Sequence, residues 1–182
     1  MKTKIISSIV YCLLILGISM PGPAFAGGVR GAQKLEGAWI ARVDGFPGQW
    51  SYVSSADSSG RRASVHGSID VGFSVQELGS YDEVTPFVGA SEMTGPKTAV
   101  GNAIWYGLKE LAPPSIPSHE VVWIGTTESA FEFKAANKMF VVHNFAFYLA
   151  DQDGNGDGLP DAGETPVYTL QLTTNDTRVP SP

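Results

Sequence analysis

The sequence predicts an all-β fold: one antiparallel domain wound as an up-and-down barrel, with a β-sandwich as the alternative. Three observations predict it. Apolar residues recur with a period of two along most of the chain, the pattern of strands with one buried face. Turn-forming clusters, Asp57-Ser58-Ser59-Gly60, Thr94-Gly95-Pro96 and Ala136-Asn137, separate these runs at hairpin spacing. Short connections between consecutive strands favour a meander over crossing connections.

Residues 1–26 read as a secretory signal peptide. Lys2 and Lys4 form a basic start, an apolar stretch follows over 5–18, and Ala24-Phe25-Ala26 is an A-x-A cleavage site. The stretch is too short and too interrupted for a membrane span, and no second apolar run follows. Cleavage after Ala26 would deliver the domain to the periplasm or the medium. It would also remove Cys12, the single cysteine, leaving neither a disulfide nor a thiolate ligand or nucleophile. Residues 27–34 are expected to be a flexible lead-in, 35–174 the β domain and 175–182 a C-terminal tail. The formal charge of −6 becomes more negative when the two lysines are lost, and Arg61-Arg62 is the one basic pair. That balance disfavours nucleic acid and anionic membrane as partners.

Within the domain, strands are expected over 37–43, 49–54, 62–73, 84–90, 98–108, 120–125, 129–135, 138–150 and 166–174. The clearest alternation runs from Arg62 to Phe73, with Ala63, Val65, Gly67, Ile69, Val71 and Phe73 on one face and a bend at Gly67. Residues 139–149 are apolar on both faces, as in a central strand covered on each side. Pro113, Pro114 and Pro117 mark a rigid loop, and helical turns fit only within 74–82 and 106–111. Gly37-Ala38-Trp39 resembles the G-x-W of calycin (lipocalin-like) barrels, and the resemblance implies a calycin-like barrel whose tryptophan closes one end.

The most specific motif is Asp153-Gly154-Asn155-Gly156-Asp157-Gly158-Leu159-Pro160-Asp161-Ala162-Gly163-Glu164, which fits D-x-[DN]-x-[DN]-G-x5-E at every specified position. A hard cation such as Ca²⁺ takes six to eight oxygens, and a short loop supplies them from alternate residues. Asp153, Asn155 and Asp157 would offer side-chain oxygens, Leu159 its carbonyl, Asp161 a direct or water-mediated contact, and Glu164 a closing bidentate carboxylate. Gly158 falls at the sharp turn. The loop resembles the EF-hand-type loops of bacterial extracellular proteins and the Asp-rich repeats of dockerin and thrombospondin type 3 modules. It differs from a paired EF-hand in having Pro160, which lacks the N–H that would bridge to a second loop, and strands rather than helices on its flanks. The expected cofactor is therefore one structural calcium ion in a clasp joining two strands.

Candidate chemistry elsewhere is sparse. His66 and Asp70 share the polar face of one strand, which forms either the wall of a pocket or a solvent-facing surface. His143 lies among apolar residues, either in a ligand pocket or as a satisfied core histidine. Trp105 and Trp123 serve either the core or the lining of a pocket. His119 is expected to be exposed, the histidine spacing suggests no zinc site, and no nucleophile or phosphate-loop motif is present. The function expected first is an exported calcium-binding β domain that binds a small apolar or aromatic ligand or a partner protein. The alternatives are a barrel isomerase or hydrolase using His66 or His143, and a structural or adhesive surface protein.

Overall fold

The computed structural model describes residues 31–45, 47–70, 76–112 and 118–180, apart from the side chains of Ile69 and Asp70. The signal peptide, the end of the 62–73 strand, the proline loop at 113–117 and the Asp70 side chain lie outside them. Nine strands follow in order: β1 (Gly37–Val43), β2 (Gln49–Ala56), β3 (Arg62–Asp70), β4 (Glu83–Val84), β5 (Phe87–Gly95), β6 (Thr98–Glu110), β7 (His119–Ala135), β8 (Lys138–Leu149) and β9 (Tyr168–Arg178). Every pairing is antiparallel. The eight long strands meander and close on themselves where β9 pairs with β1, while the two-residue β4 lies beside the end of β6. The fold is a closed eight-stranded barrel with one extra strand, and closure leaves no long unpaired edge. Among the described residues no helix is long and apolar enough to cross a membrane.

Alternation sends Trp39, Ala41 and Val43 of β1, Trp50 and Tyr52 of β2, and Met139, Val141, His143, Phe145 and Phe147 of β8 into the interior. Two tryptophans meet two glycines there. Trp105 pairs across β6–β7 with Gly125, and Gly107 pairs with Trp123. A Cβ on either glycine would overlap the facing indole. The motif W-x-G on both strands thus lets each backbone seat the other strand's tryptophan, and Phe147 packs edge-on against both rings.

Trp39 closes the opposite end. Its indole N–H donates to Leu35 O at 2.7 Å, and the Arg178 guanidinium lies 4.7 Å over its ring while also donating to Lys34 O. This arrangement moves both expected boundaries. Residues 32–34, expected as flexible lead-in, form a 3-10 turn with Ala32 fully buried. Residues 175–178, expected as tail, belong to β9, because closure needs β9 to run alongside β1 as far as Arg178.

Three further differences have local causes. The strand expected over 84–90 is divided at Pro86, which has no N–H for a ladder, so Val84 joins β4 and β5 starts at Phe87. The segments 120–125 and 129–135 are one strand, because Thr126 and Thr127 between them suit an extended backbone, with a bulge at Val122. β8 is not covered on both faces: Phe140, Val142, Ala146 and Tyr148 on its outer side are half-buried, since a barrel has no second layer. Of the two segments where a helical turn fits, 74–82 contains a 3-10 turn at 76–78, while β6 runs through the other as far as Glu110.

Candidate ligand site in the barrel interior

A cavity of about 50 Å³ lies inside the barrel. One wall is small, with Val65, Ser91, Gly101 and Ala103, and the other is aromatic, with Trp50, Trp105, His143 and Phe145. Trp50 sits edge-on to His143 at 5.2 Å between ring centroids, and Trp105 edge-on to Phe145 at 5.7 Å. Gly101 lets its neighbours approach: a Cβ there would lie 2.5 Å from Ser91 Oγ and 3.1 Å from Phe131. Tyr52, Phe87 and Phe131 also line it and are its most exposed aromatic residues, at 7 %, 7 % and 9 %.

One continuous hydrogen-bonded chain crosses this interior through four strands. Ser129 Oγ on β7 is 2.8 Å from His143 Nδ1 on β8, and His143 Nε2 is 3.1 Å from Thr174 Oγ1 on β9. Thr174 Oγ1 donates to Asp176 Oδ1 at 2.6 Å, and Tyr52 Oη on β2 donates to Asp176 Oδ2 at 2.6 Å. All five side chains are buried, so these bonds satisfy groups that would otherwise be costly to hold away from water. Burial pushes the Asp176 carboxyl up to about 6, against the opposing pull of Thr174 and Tyr52. Burial also lowers His143 to about 4. Tyr52 is raised by its burial and by the neighbouring Asp176 charge. At neutral pH the chain therefore holds an ionised Asp176 and a neutral His143, and a histidine that resists protonation so strongly is a feeble general base for Ser129.

The structure divides the sequence's pocket candidates. His143 and Trp105 line the cavity. His66 faces outward and is exposed, between Val53 and Val88 in the ladder, because it alternates with inward Val65 and Gly67. Trp123 is 1 % exposed and belongs to the packed end beside Gly107 rather than to the cavity lining. Asp70 lies on the backbone of β3, paired with Gln49. His119 is half-exposed, 3.9 Å from Glu83. The sequence does not single out Ser129, Thr174 or Asp176, because serine and threonine in strands carry no chemical signature and Asp176 falls in the expected tail. The available cue was the period of two, which continues through Leu170, Leu172, Thr174, Asp176 and Arg178 even where the residues turn polar. A larger hollow of about 530 Å³ lies on the outer wall beside Arg62, Glu92, Asn102, Glu128 and Asn144, where the side chains are mostly exposed.

The acidic loop joins β8 to β9 through a three-residue 3-10 turn, Ala150–Gln152. Asp153 accepts from Asp157 N at 3.1 Å and Gly158 N at 2.8 Å, Asn155 Oδ1 accepts from Asp157 N at 2.8 Å, and Gly158 has φ +83°. Asn155 Nδ2 donates to Asp161 at 2.8 Å, and Glu164 is held by Gln152 Nε2 at 2.9 Å. Among the described residues no three His, Cys, Asp or Glu side chains converge on one point. The loop docks on the barrel's outer wall, where Tyr106 Oη donates to Gly158 O at 3.1 Å. Beside Tyr106 in the ladder, outward-facing Ile124 is 1 % exposed.

No protein-family model matches the chain. No curated protein matches it either. Among solved structures, that of EF1p2_mFAP2b bound to DFHBI is similar, with a TM-score of 0.46 and 16 % identity over 82 % of this chain and 98 % of the other.

Proposed function

We propose that this is a binding barrel for a compact, neutral, planar apolar molecule, exported through the signal-like segment at 1–26. The observation that carries the reading is the cavity between Gly101 and the Trp50–His143–Phe145 cluster, apolar in most of its lining and with a hydrogen-bonding group at one side. Sites of this kind combine an aromatic lining with a few placed polar groups. A void of about 50 Å³ admits roughly three waters, whereas a single aromatic ring occupies an engineered cavity of about 150 Å³. Binding a ring therefore requires a side chain to yield, and Phe87 and Phe131 are placed to do so.

Adding toluene to the purified protein should shift the NMR indole resonances of Trp50 and Trp105. It should also raise the melting temperature, by the equivalent of about 2.7 kcal/mol at one hundred times the Kd. Ala103→Leu, which fills the space from the small wall, should remove both responses while the protein stays folded. Unchanged toluene binding in that variant would place the ligand elsewhere.

The acidic loop supports a second role, a structural Ca²⁺ clasp. Its donor set (Asp153, Asn155, Asp157, the Leu159 carbonyl, Asp161 and Glu164) is all oxygen, as a hard cation needs. The turn at Gly158, with its N–H on Asp153, is the bend such a loop makes. Closing round an ion requires the Asn155 amide to turn over and Glu164 to leave Gln152. A lone loop that must reorganise implies modest affinity, on the order of 10⁻⁴ to 10⁻³ M. Millimolar calcium should raise the melting temperature and chelator should reverse it, with neither effect in Asp153→Ala/Glu164→Ala. Identical melting curves with and without calcium would remove this role.

A further inference from the structure

We infer that the cavity presents a hydrogen-bond acceptor of fixed polarity, Ser129 Oγ, and so selects a planar ligand bearing an O–H or N–H donor, of the phenol kind. This inference rests on the ligand-binding reading above. It follows from tracing protons along the buried chain. An ionised carboxylate only accepts, so Asp176 takes the protons of both Tyr52 and Thr174. Thr174 Oγ1, its own proton committed, must accept from the other side, which makes His143 Nε2 the protonated nitrogen. A neutral imidazole carries one N–H, leaving Nδ1 bare, and Nδ1 receives the proton of Ser129. Ser129 therefore turns only lone pairs to the cavity that it lines.

The carboxylate at the far end thus sets the polarity of a wall it does not touch. Asp176 is absent from the lining, so the ligand meets the consequence of its charge without meeting the charge. A ligand donor finds a ready acceptor at Ser129, while a ligand acceptor meets lone pair against lone pair. Three other hydroxyls line the cavity: those of Tyr52 and Thr127 donate to Asp176 and to Glu128 O, and that of Ser91, on the other side of Gly101 in the same row, can rotate to suit its neighbour. The selectivity accordingly resides in Ser129.

Phenol, benzene and pyridine are nearly equal in size and differ in offering a donor, neither group, or an acceptor. Their binding should be measured at pH 7.5 by the NMR shifts of the Trp50 and Trp105 indole resonances. Phenol should bind about tenfold more tightly than benzene, the worth of one neutral hydrogen bond. Ser129→Ala should abolish that preference, read as the ratio of phenol to benzene affinity within the variant. Thr174→Val removes the acceptor for His143 Nε2–H, so the ring adopts its other tautomer, donates from Nδ1 to Ser129, and frees the serine proton for the cavity. Preference should then shift from phenol towards pyridine, a reversal that simple loosening of the barrel would not produce. Equal binding of phenol and benzene to the wild type, or a phenol preference that survives Ser129→Ala, overturns the inference and leaves the binding barrel standing. No response to any of the three removes both.

Discussion

Gly107→Ala should destabilise the barrel by about 3 kcal/mol or more, the upper range for overpacking a core. The added methyl has nowhere to go. It would overlap Trp123 at Cε2 and Nε1, and that indole is walled in by Tyr81 at 5.3 Å and Phe147 at 5.6 Å between centroids. Relief would require the β6–β7 ladder to part beside the bulge at Val122. Gly45→Ala is the control. Its φ of +72° makes alanine strained, but nothing lies within 4 Å of the new Cβ. It should cost only the left-handed penalty of about 1–2 kcal/mol. Urea unfolding of both variants separates the two mechanisms, and a Gly107→Ala protein no less stable than Gly45→Ala would mean that the Trp–Gly seats do not organise the core.

The second large effect concerns pH. Asp176 has a folded pKa of about 6 against an ordinary 3.8, so the folded state holds that proton more tightly than the unfolded chain. Its contribution to stability is greatest below about 4 and is lost as pH rises through 6. His143 has a folded pKa of about 4 against 6.5, so the folded state rejects that proton. Its contribution is complete above 6.5 and is lost as pH falls through 4. Each is worth about 3 kcal/mol, and over the shared window from about 4 to 6 they oppose. The pair should leave the wild type with little net dependence there. Asp176→Asn exposes the histidine, and its stability relative to wild type should fall by about 3 kcal/mol as pH drops from 6.5 to 4. His143→Gln exposes the carboxylate, and its relative stability should rise by a similar amount as pH drops from 6 to 4. Curves parallel to the wild type in both variants would show that neither group titrates differently in the folded protein.

These two effects differ in how far the sequence announces them. The W-x-G repeats at Trp105 and Trp123 are plainly visible, yet that each glycine seats the other strand's tryptophan depends on a register set by the β6–β7 pairing. The buried chain is less visible still. Its members lie at 52, 129, 143, 174 and 176, and none forms a recognisable motif with another. His143 stood out only because it is a histidine among apolar residues. His66 stood out equally and faces solvent, because inward and outward positions on a strand differ by one residue.

Local physics was enough for the all-β class, the positions of most strands, the meander and the acidic loop between β8 and β9. Each depends on neighbours in the chain: the two-residue alternation of side chains, the φ preferences of glycine and proline, and the spacing of oxygens round a turn. Barrel closure, the role of Arg178 over Trp39, the void at Gly101 and the proton order from Asp176 to Ser129 depend instead on which strands meet after the sheet curls. Some of those meetings join residues more than a hundred positions apart, as Tyr52 joins Asp176, and no local pattern records them, because a strand's period specifies a face but not the residue that face will meet.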